Sequence, residues 1–262
     1  MAELTPLAFA AIVLIGAFSG FSAGLVGSAG AYLALALLTI MLGDAHAAIG
    51  TTLVYVFVVC IIGAIAHLRA GRFSPRVSLA LGIPAASTAV LGAWIAEYLS
   101  DRVLSLGVAA LAAIVVITTL LHWGQRDGDG DDDDDDDTFT PNRATYVGAV
   151  TGGLGLGVLQ GMFGIGGGFL LVPYLVVVLK VPPRLAVACA LVAGIPSLFA
   201  GGLSHVVLDN VHYLALVALL AGALPSTWLG AAATGRVSVA LLRNVLIGLL
   251  TVSVVALIVL PI

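Results

Sequence analysis

The sequence predicts an all-α integral membrane protein that consists of two inverted repeats. Of its 262 residues, 61% are hydrophobic and only 9% are charged, whereas soluble domains are about half apolar and about a quarter charged. Its apolar stretches lack the alternation of strands, which favours helices over a barrel. An internal repeat of glycines and histidines is the second indication. Because no basic surface is present, we expect no nucleic acid among the partners.

The first apolar stretch of each half is too long for one membrane crossing, which needs about 20 residues. These stretches are 7–43 and 146–179. A glycine cluster interrupts each of them, so we predict a full helix, a break, and a shorter helix of about 14 residues, about 21 Å long. The chain then has eight to ten membrane segments, depending on whether the short helices cross or are re-entrant.

Glycines and histidines recur between the two halves. The first half contains Gly20, Gly24, Gly27, Gly30, Gly63 and His67, and the second half has Gly157, Gly161, Gly164, Gly167, Gly201 and His205 at an offset of 137 or 138. We interpret residues 1–124 and 143–262 as duplicated repeats joined by a linker, residues 125–142. Five segments per half make the repeats antiparallel, an arrangement found in many secondary transporters.

The positions of the ten Lys and Arg residues predict the orientation. With five segments per half, nine of them lie on one side of the membrane and only Arg102 lies on the other. The positive-inside rule places the side with nine in the cytoplasm. We therefore expect a multi-pass protein of the cell membrane whose linker is cytoplasmic and whose termini are both extracellular.

The linker is acidic and of low complexity. It contains Asp127, Asp129 and the run 131–137, nine of the fourteen acidic residues of the chain. Such a self-repelling segment is typical of a disordered, solvated connection, and a cation-binding or regulatory role is the alternative. Similar aspartate tracts occur in proteins of extreme halophiles, where salt screens the repulsion, so the source is expected to be a halophile.

The strongest local motif is Gly164-Ile165-Gly166-Gly167-Gly168, with a weaker counterpart around Gly27, Ser28 and Gly30. Irregular backbone within a membrane is tolerated only where protein or a water-filled cavity covers it. A helix that begins after such a break presents free N–H groups and a positive dipole end, which suit an anion. Close helix packing is the alternative reason for these glycines.

The stretch from Gly164 to Pro173 resembles the motif of the sulfite exporter TauE/SafE family of membrane permeases. Three further features resemble that family: the position of the weaker glycine motif in the first half, the stretch 48–53, and the histidine that ends the following helix. The resemblance covers nearly the whole chain apart from the linker. It implies transport of a sulfur-containing anion such as sulfite or a sulfonate, without a tightly bound cofactor. Family members are usually drawn with eight spans.

Our candidate substrate-binding residues combine the two breaks with nearby hydroxyls and one thiol. The absence of Asp and Glu deep within the segments favours an anion over a cation. The alternative for each hydroxyl, and for the buried Cys189, is simple packing. The candidates are Gly27, Ser28, Gly30, Thr51, Thr52, Gly164, Gly166, Gly167, Gly168 and Cys189.

His67 and His205 are candidate proton relays for an anion transporter coupled to protons, and interfacial anchoring is the alternative. Two cysteines within apolar runs support neither a disulfide framework nor a metal site. The sequence therefore predicts a secondary transporter of a small anion embedded in the lipid bilayer, with a passive channel or a non-sulfur anion as the alternative. We do not expect an enzyme, because Ser28 has no identifiable base, and the sequence leaves the oligomeric state open.

Overall fold

The computed structural model describes residues 5–26, 31–69, 74–123, 139–234, 248 and 251. The described residues form helices joined by short turns, and no β-strand occurs among them. The helices are α1 (Pro6–Val26), α2 (Ala31–Leu42), α3 (Ala45–Arg69), α4 (Pro75–Ala96), α5 (Asp101–Trp123), α6 (Arg143–Phe163), α7 (Gly167–Pro173), α8 (Pro183–Val207) and α9 (Tyr213–Thr234).

Six of these helices, α1, α3, α4, α6, α8 and α9, contain a stretch long and apolar enough to cross a membrane. The all-helical membrane fold that the sequence predicts is therefore confirmed. Much of the linker and most of the segment after α9 lie outside the described residues. The total of eight to ten segments stays a prediction.

The predicted break in the second half lies between α6 and α7. Gly164 ends α6 in the left-handed conformation, with φ of 66°, and Gly166 precedes the first residue of α7. After Pro173, which has no N–H to donate, the helix widens into a π-helical turn, Tyr174–Val178. The short segment therefore spans residues 167–178, slightly less than the sequence predicts.

The short segment of the first half, α2, ends in the same way as its counterpart. The break before it, residues 27–30, lies outside the described residues. Gly43 follows α2 with φ of 64°, and Lys180 follows the second short segment with φ of 58°. These two positions are related by the repeat offset of 137. Both short segments thus end in a left-handed residue before the chain enters the next long helix.

Glycines bring helices from different halves into backbone contact. A side chain at any of these glycines would collide with the backbone of the partner helix. The α1–α9 pairs are Gly16 with Leu219, Gly20 with Ala223 and Gly24 with Thr227, and the α6–α4 pairs are Gly153 with Leu81, Gly157 with Ala85 and Gly161 with Ala89. Each α6–α4 pair is the repeat equivalent of an α1–α9 pair. The contacts therefore support a two-fold relation between the halves.

Helices α3 and α8, which are also repeat equivalents, pack antiparallel. Gly63 near the end of α3 contacts Leu191 near the start of α8, and the equivalent pair Leu53 and Gly201 is in contact as well. Equivalent helices that run in opposite directions are what a two-fold axis in the membrane plane produces. This packing supports the inverted arrangement that the sequence predicts.

We predict that Gly157→Ala destabilises the protein, because the added methyl group would collide with the carbonyl of Ala85. Overpacking of this kind costs about 1–3 kcal/mol. The matched control is Gly155→Ala on the same helix, where no atom lies within 4 Å of the added carbon and helix propensity favours alanine by about 1 kcal/mol. Thermal unfolding in detergent measures both variants. Equal shifts would contradict the assignment of Gly157 as a backbone contact.

Candidate functional site

Three fully buried polar side chains lie on three helices that contact one another, α3 of the first half and α6 and α8 of the second. They are Thr52 of α3, Gln160 of α6 and His205 of α8, each with 0% of its surface exposed. We call these three residues the polar cluster. They lie in helices that are otherwise almost entirely apolar, so their burial requires an explanation.

The contact that joins α8 to α6 is a hydrogen bond from the ring of His205. Its Nε2 lies 2.9 Å from the carbonyl oxygen of Gly161. The helices approach closely here, since an added carbon at Gly201 would lie 3.6 Å from the Cα of Gly161. Glycine at position 161 therefore allows α4 to pack closely against α6 at this point. Its carbonyl oxygen also accepts the hydrogen bond from His205.

Most polar atoms of the cluster have no hydrogen-bond partner among the described residues. The unpaired atoms are Oγ1 of Thr52, both amide atoms of Gln160 and Nδ1 of His205, and Nε2 of the nearby His212 is unpaired as well. Each buried polar atom without a partner costs about 1–3 kcal/mol. Such atoms are typical of sites that a ligand or ordered water completes.

A turn between α8 and α9 covers one end of the cluster. The backbone N–H of His212 donates to Oγ1 of Thr51 at 2.8 Å, and the amide of Asn210 donates to the carboxylate of Glu97. The carbonyl of Asn210 also lies against Gly50. These contacts hold the turn on α3 and on the residue that follows α4, so the cluster is closed at this end.

The glycine break lies next to the start of α3. A side-chain carbon added at Gly164 would lie 2.9 Å from the Cα of Ile49, three residues before Thr52, so the two backbones are in close contact. Gly166 and Gly168 are buried, and Gly167 is the first residue of α7. The predicted second-half residues Gly164, Gly166, Gly167 and Gly168 therefore lie where α6, α7 and α3 meet.

The structure does not bring Cys189 to the two threonines. Cys189 is buried near the start of α8, where its thiol points to the carbonyl of Ser74 at 3.9 Å. Leu191 nearby packs on Gly63, which lies 12 residues, about 18 Å, along α3 from Thr51. Repeat-equivalent residues lie at opposite ends of this helix pair because α3 and α8 run antiparallel.

Several predicted residues of the first half lie outside the described part of the chain or at its limit. Gly27, Ser28 and Gly30 fall in the undescribed segment 27–30. His67 belongs to the last turn of α3. Thr51 is described and buried, and its oxygen is already engaged by the N–H of His212. Thr52 and His205 are both fully buried on adjacent helices, but Gly50 is the residue of α3 that lies against His205, so Thr52, two residues further on, lies on the opposite side of α3.

Sequence reasoning assigned no role to Gln160 or His212. Gln160 precedes the glycine motif and is the only amide side chain in α6, and a lone amide in an apolar run is the signal that could have found it. His212 lies in the turn between α8 and α9. Its contact with α3 depends on how the α8–α9 turn folds back, which no local pattern indicates.

A second polar group, Asp44, His46 and Asp101, lies at the start of α3. Their potential metal-ligating atoms lie within 4.8 Å of one another. Asp101 accepts hydrogen bonds from the N–H of Ala45 and from His46 Nδ1, and Asp44 accepts from the N–H of Ala47. These bonds cap α3 and join it to α5, so we interpret the group as a structural connection.

The six candidate spans define the chain as a multi-pass membrane protein. The family model of the sulfite exporter TauE/SafE matches residues 12–257. The chain therefore belongs to the sulfite exporter TauE/SafE family and is a membrane transporter.

Similar proteins carry transporter names. The "Probable membrane transporter protein YdhB" of Bacillus subtilis (strain 168) is 27% identical over 237 residues, which cover 89% of this chain and 93% of that protein. YunE of the same organism, also named a probable membrane transporter protein, is 24% identical over 241 residues, with 86% and 88% covered. A probable membrane transporter protein of Xylella fastidiosa (strain Temecula1) is 28% identical over 242 residues, with 91% and 90% covered. No solved structure matches the chain.

We predict that Gln160→Leu raises the thermal stability in detergent. The change replaces a buried amide without partners by an apolar side chain of similar size, which removes a penalty of about 1–3 kcal/mol. The matched control is Thr151→Val on the same helix, because Thr151 is exposed and its hydroxyl bonds to its own helix at Val147. A lower unfolding temperature for Gln160→Leu would show that the amide has a stabilising partner.

Proposed function

We propose that the protein is a secondary transporter of a small sulfur-containing anion, such as sulfite or an organosulfonate, which binds between the glycine break and the polar cluster. One observation supports this proposal above the others. The hydroxyl of Thr52 and the amide of Gln160 are fully buried, lack partners among the described residues, and lie on helices that meet at the break.

The charge of the expected substrate follows from the chemistry of these helices. A cation site within a membrane normally contains Asp or Glu, and neither occurs in α3, α6 or α8. A hydroxyl and an amide N–H are donors that suit the oxygen atoms of an anion. The name of the family, sulfite exporter, supports sulfur chemistry for the substrate.

We propose alternating access as the mechanism. The bundle that contains α1 and α9 and the bundle that contains α4 and α6 rock about the antiparallel pair α3 and α8 and expose the site to each side in turn. Alternating access requires a state in which the site is closed at one end. The contacts of the α8–α9 turn with Thr51 and Glu97 support such a closure. The repeat-equivalent contacts of α1 with α9 and of α6 with α4 support motion of two matched bundles.

We also propose that the linker lies in the cytoplasm and that both termini lie outside. The helix directions bring the starts of α4, α6 and α8 to one end of the bundle, with Arg76, Arg143 and Arg184. Asp44, Glu97, Asp101 and Asp209 lie at the opposite end, where α3 and α5 begin and α4 and α8 finish. The positive-inside rule then places the basic end, from which the linker reaches α6, in the cytoplasm.

The direct test is anion flux in proteoliposomes that contain the purified full chain. We expect saturable uptake of sulfite, methanesulfonate or sulfoacetate, with chloride and phosphate as comparison anions. Gly167→Leu at the start of α7 is expected to abolish uptake while the protein still inserts into the membrane. Gly155→Leu, at a glycine of α6 with open space around it, should transport normally.

Flux that does not saturate, together with an absence of exchange between labelled and unlabelled anion, would indicate a passive channel. Flux equal to that of empty liposomes for every sulfur anion would refute the proposed substrate class. Normal uptake by Gly167→Leu would refute the location of the site at the break.

Alternating access predicts that one engineered thiol reacts from each side of the membrane in turn. In a chain whose Cys60 and Cys189 are both alanine, Thr52→Cys introduces a single thiol in the polar cluster. We expect an impermeant thiol reagent to label it from either side, with the accessible side shifting when a saturating anion is present on one side only. Labelling from one side under every condition would contradict the mechanism.

A further inference from the structure

We infer that the transported anion is a monoanion with an acid hydrogen, which for sulfite is hydrogen sulfite, and that the side-chain carbonyl of Gln160 accepts this hydrogen. The inference rests on the proposed function and names the ionic form of its substrate. The observation that carries it is the amide of Gln160, whose nitrogen and oxygen are both buried without a partner among the described residues.

Gln160 and Thr52 lie one helical turn from the same contact between α6 and α3. The two backbones meet where a carbon added at Gly164 would lie 2.9 Å from the Cα of Ile49. Gln160 precedes Gly164 by four residues and Thr52 follows Ile49 by three, so each shares a helix face with the residue in contact. Because α6 and α3 run in opposite directions, both steps lead to the same depth in the membrane.

A contact with α8 supports this common depth. A carbon added at Gly201 would lie 3.6 Å from the Cα of Gly161 and 3.8 Å from Cδ1 of Leu53. Gly161 directly follows Gln160, and Leu53 directly follows Thr52. The unpaired amide and the unpaired hydroxyl therefore belong to one level of the bundle, just below the glycine break.

The unpaired atoms determine which groups a ligand must offer. The amide of Gln160 has two N–H donors and one carbonyl acceptor, and the hydroxyl of Thr52 supplies a further donor. A sulfonate group and the sulfite dianion offer acceptors only, so with either of them the carbonyl of Gln160 stays buried and unpaired. Hydrogen sulfite offers acceptor oxygens together with one O–H donor, and it is therefore complementary to the whole amide.

The positions of the basic residues favour the same ionic form. Arg143 is 17 residues before Gln160 on α6, a distance of about 25 Å along the helix. Arg69 ends α3, and Arg184 lies in the first turn of α8. The cost of moving an ion into a low-dielectric interior rises with its charge. A monoanion is therefore easier to bind at this level than the sulfite dianion.

Two titratable side chains on the neighbouring helices lie away from the helix ends or next to Gln160, and both have a partner. His205 of α8 bonds through Nε2 to the carbonyl of Gly161, and Tyr55 of α3 bonds to Ser19 of α1. The charged residues of α3, α4, α5, α6 and α8 lie in the first or last turn of their helices. A histidine of ordinary pKa is neutral above about pH 8, so a pH series in that range acts on the anion.

Uptake of labelled sulfite into proteoliposomes of the full chain, at equal pH inside and outside, tests the ionic form. From about pH 8 to about pH 9 the fraction of hydrogen sulfite falls about tenfold, and we expect the KM for total sulfite to rise by the same factor. The KM expressed as hydrogen sulfite should stay constant, and protein-free liposomes correct for passive entry. A KM for total sulfite that stays constant or falls over this range would overturn the inference, because the dianion would then be the form carried.

Competition by methanesulfonate at a single pH tests the acid hydrogen separately. Methanesulfonate is also a monoanion with three oxygen atoms on sulfur, but it has no acid hydrogen near neutral pH. We expect its inhibition constant against labelled sulfite to exceed the KM for hydrogen sulfite by about tenfold or more, since a buried carbonyl is left unpaired. Equal values for the two monoanions would overturn the role of the acid hydrogen.

Gln160→Leu tests whether Gln160 makes this distinction. The change removes the carbonyl acceptor, so we expect the ratio of the two constants to fall towards one while the KM for hydrogen sulfite rises about tenfold. If the variant does not transport, the shifts of its unfolding temperature with each anion give the same ratio. The matched control is Thr151→Val, whose exposed hydroxyl bonds within α6 to Val147, and it should keep the ratio of the unmodified protein.

The remaining outcomes separate this inference from the proposed function. The same ratio in Gln160→Leu and Thr151→Val would overturn the assignment of Gln160. Saturable uptake of methanesulfonate or sulfoacetate without uptake of sulfite would overturn the inference and leave the proposed function intact. Absence of saturable uptake of every sulfur anion by the unmodified protein would overturn both.

Discussion

Backbone contact between helices at glycines is the constraint on which the rest of the structure depends. Between lipid-exposed helices no hydrophobic driving force operates, so close van der Waals packing must hold them together. At Gly20 and Gly157 the helices approach so closely that even a methyl group would collide with the partner. The same closeness at Gly161 places a backbone carbonyl within reach of His205. Small residues of this kind therefore determine how closely the helices pack, and at Gly161 the same closeness positions a polar group.

The polar cluster contains buried polar atoms that lack partners among the described residues. A buried hydroxyl, an amide and a ring nitrogen without partners oppose folding, and apolar side chains at these positions would pack without that penalty. Their position beside an interrupted helix is the place where a transporter of this architecture is expected to bind its substrate. The bonds of the α8–α9 turn to Thr51 and Glu97 join this turn to α3 and to the residue that follows α4.

The two halves have equivalent helix contacts, but the side chains at equivalent positions differ in their functional groups. Thr51 contacts the backbone of His212, and the repeat-equivalent Cys189 contacts the backbone of Ser74. The packing position is thus retained, but a hydroxyl on one side corresponds to a thiol on the other. The matched helix pairs are what a duplication would produce, whereas Gln160 and Ala23, which occupy equivalent repeat positions, differ in polarity.

The sequence alone predicted the helical membrane fold, the membership of the family and the break at Gly164–Gly168, because apolar length and glycine clusters are local signals. It also selected Thr52 and His205, which stand out as polar residues in apolar runs. Tertiary structure decided which of the candidates meet. Cys189 and Thr51 align in the repeat, yet the antiparallel packing of α3 and α8 separates them. Gln160 lies near α8 because the carbonyl of its neighbour Gly161 accepts a hydrogen bond from His205, and a contact between distant segments leaves no pattern in either one.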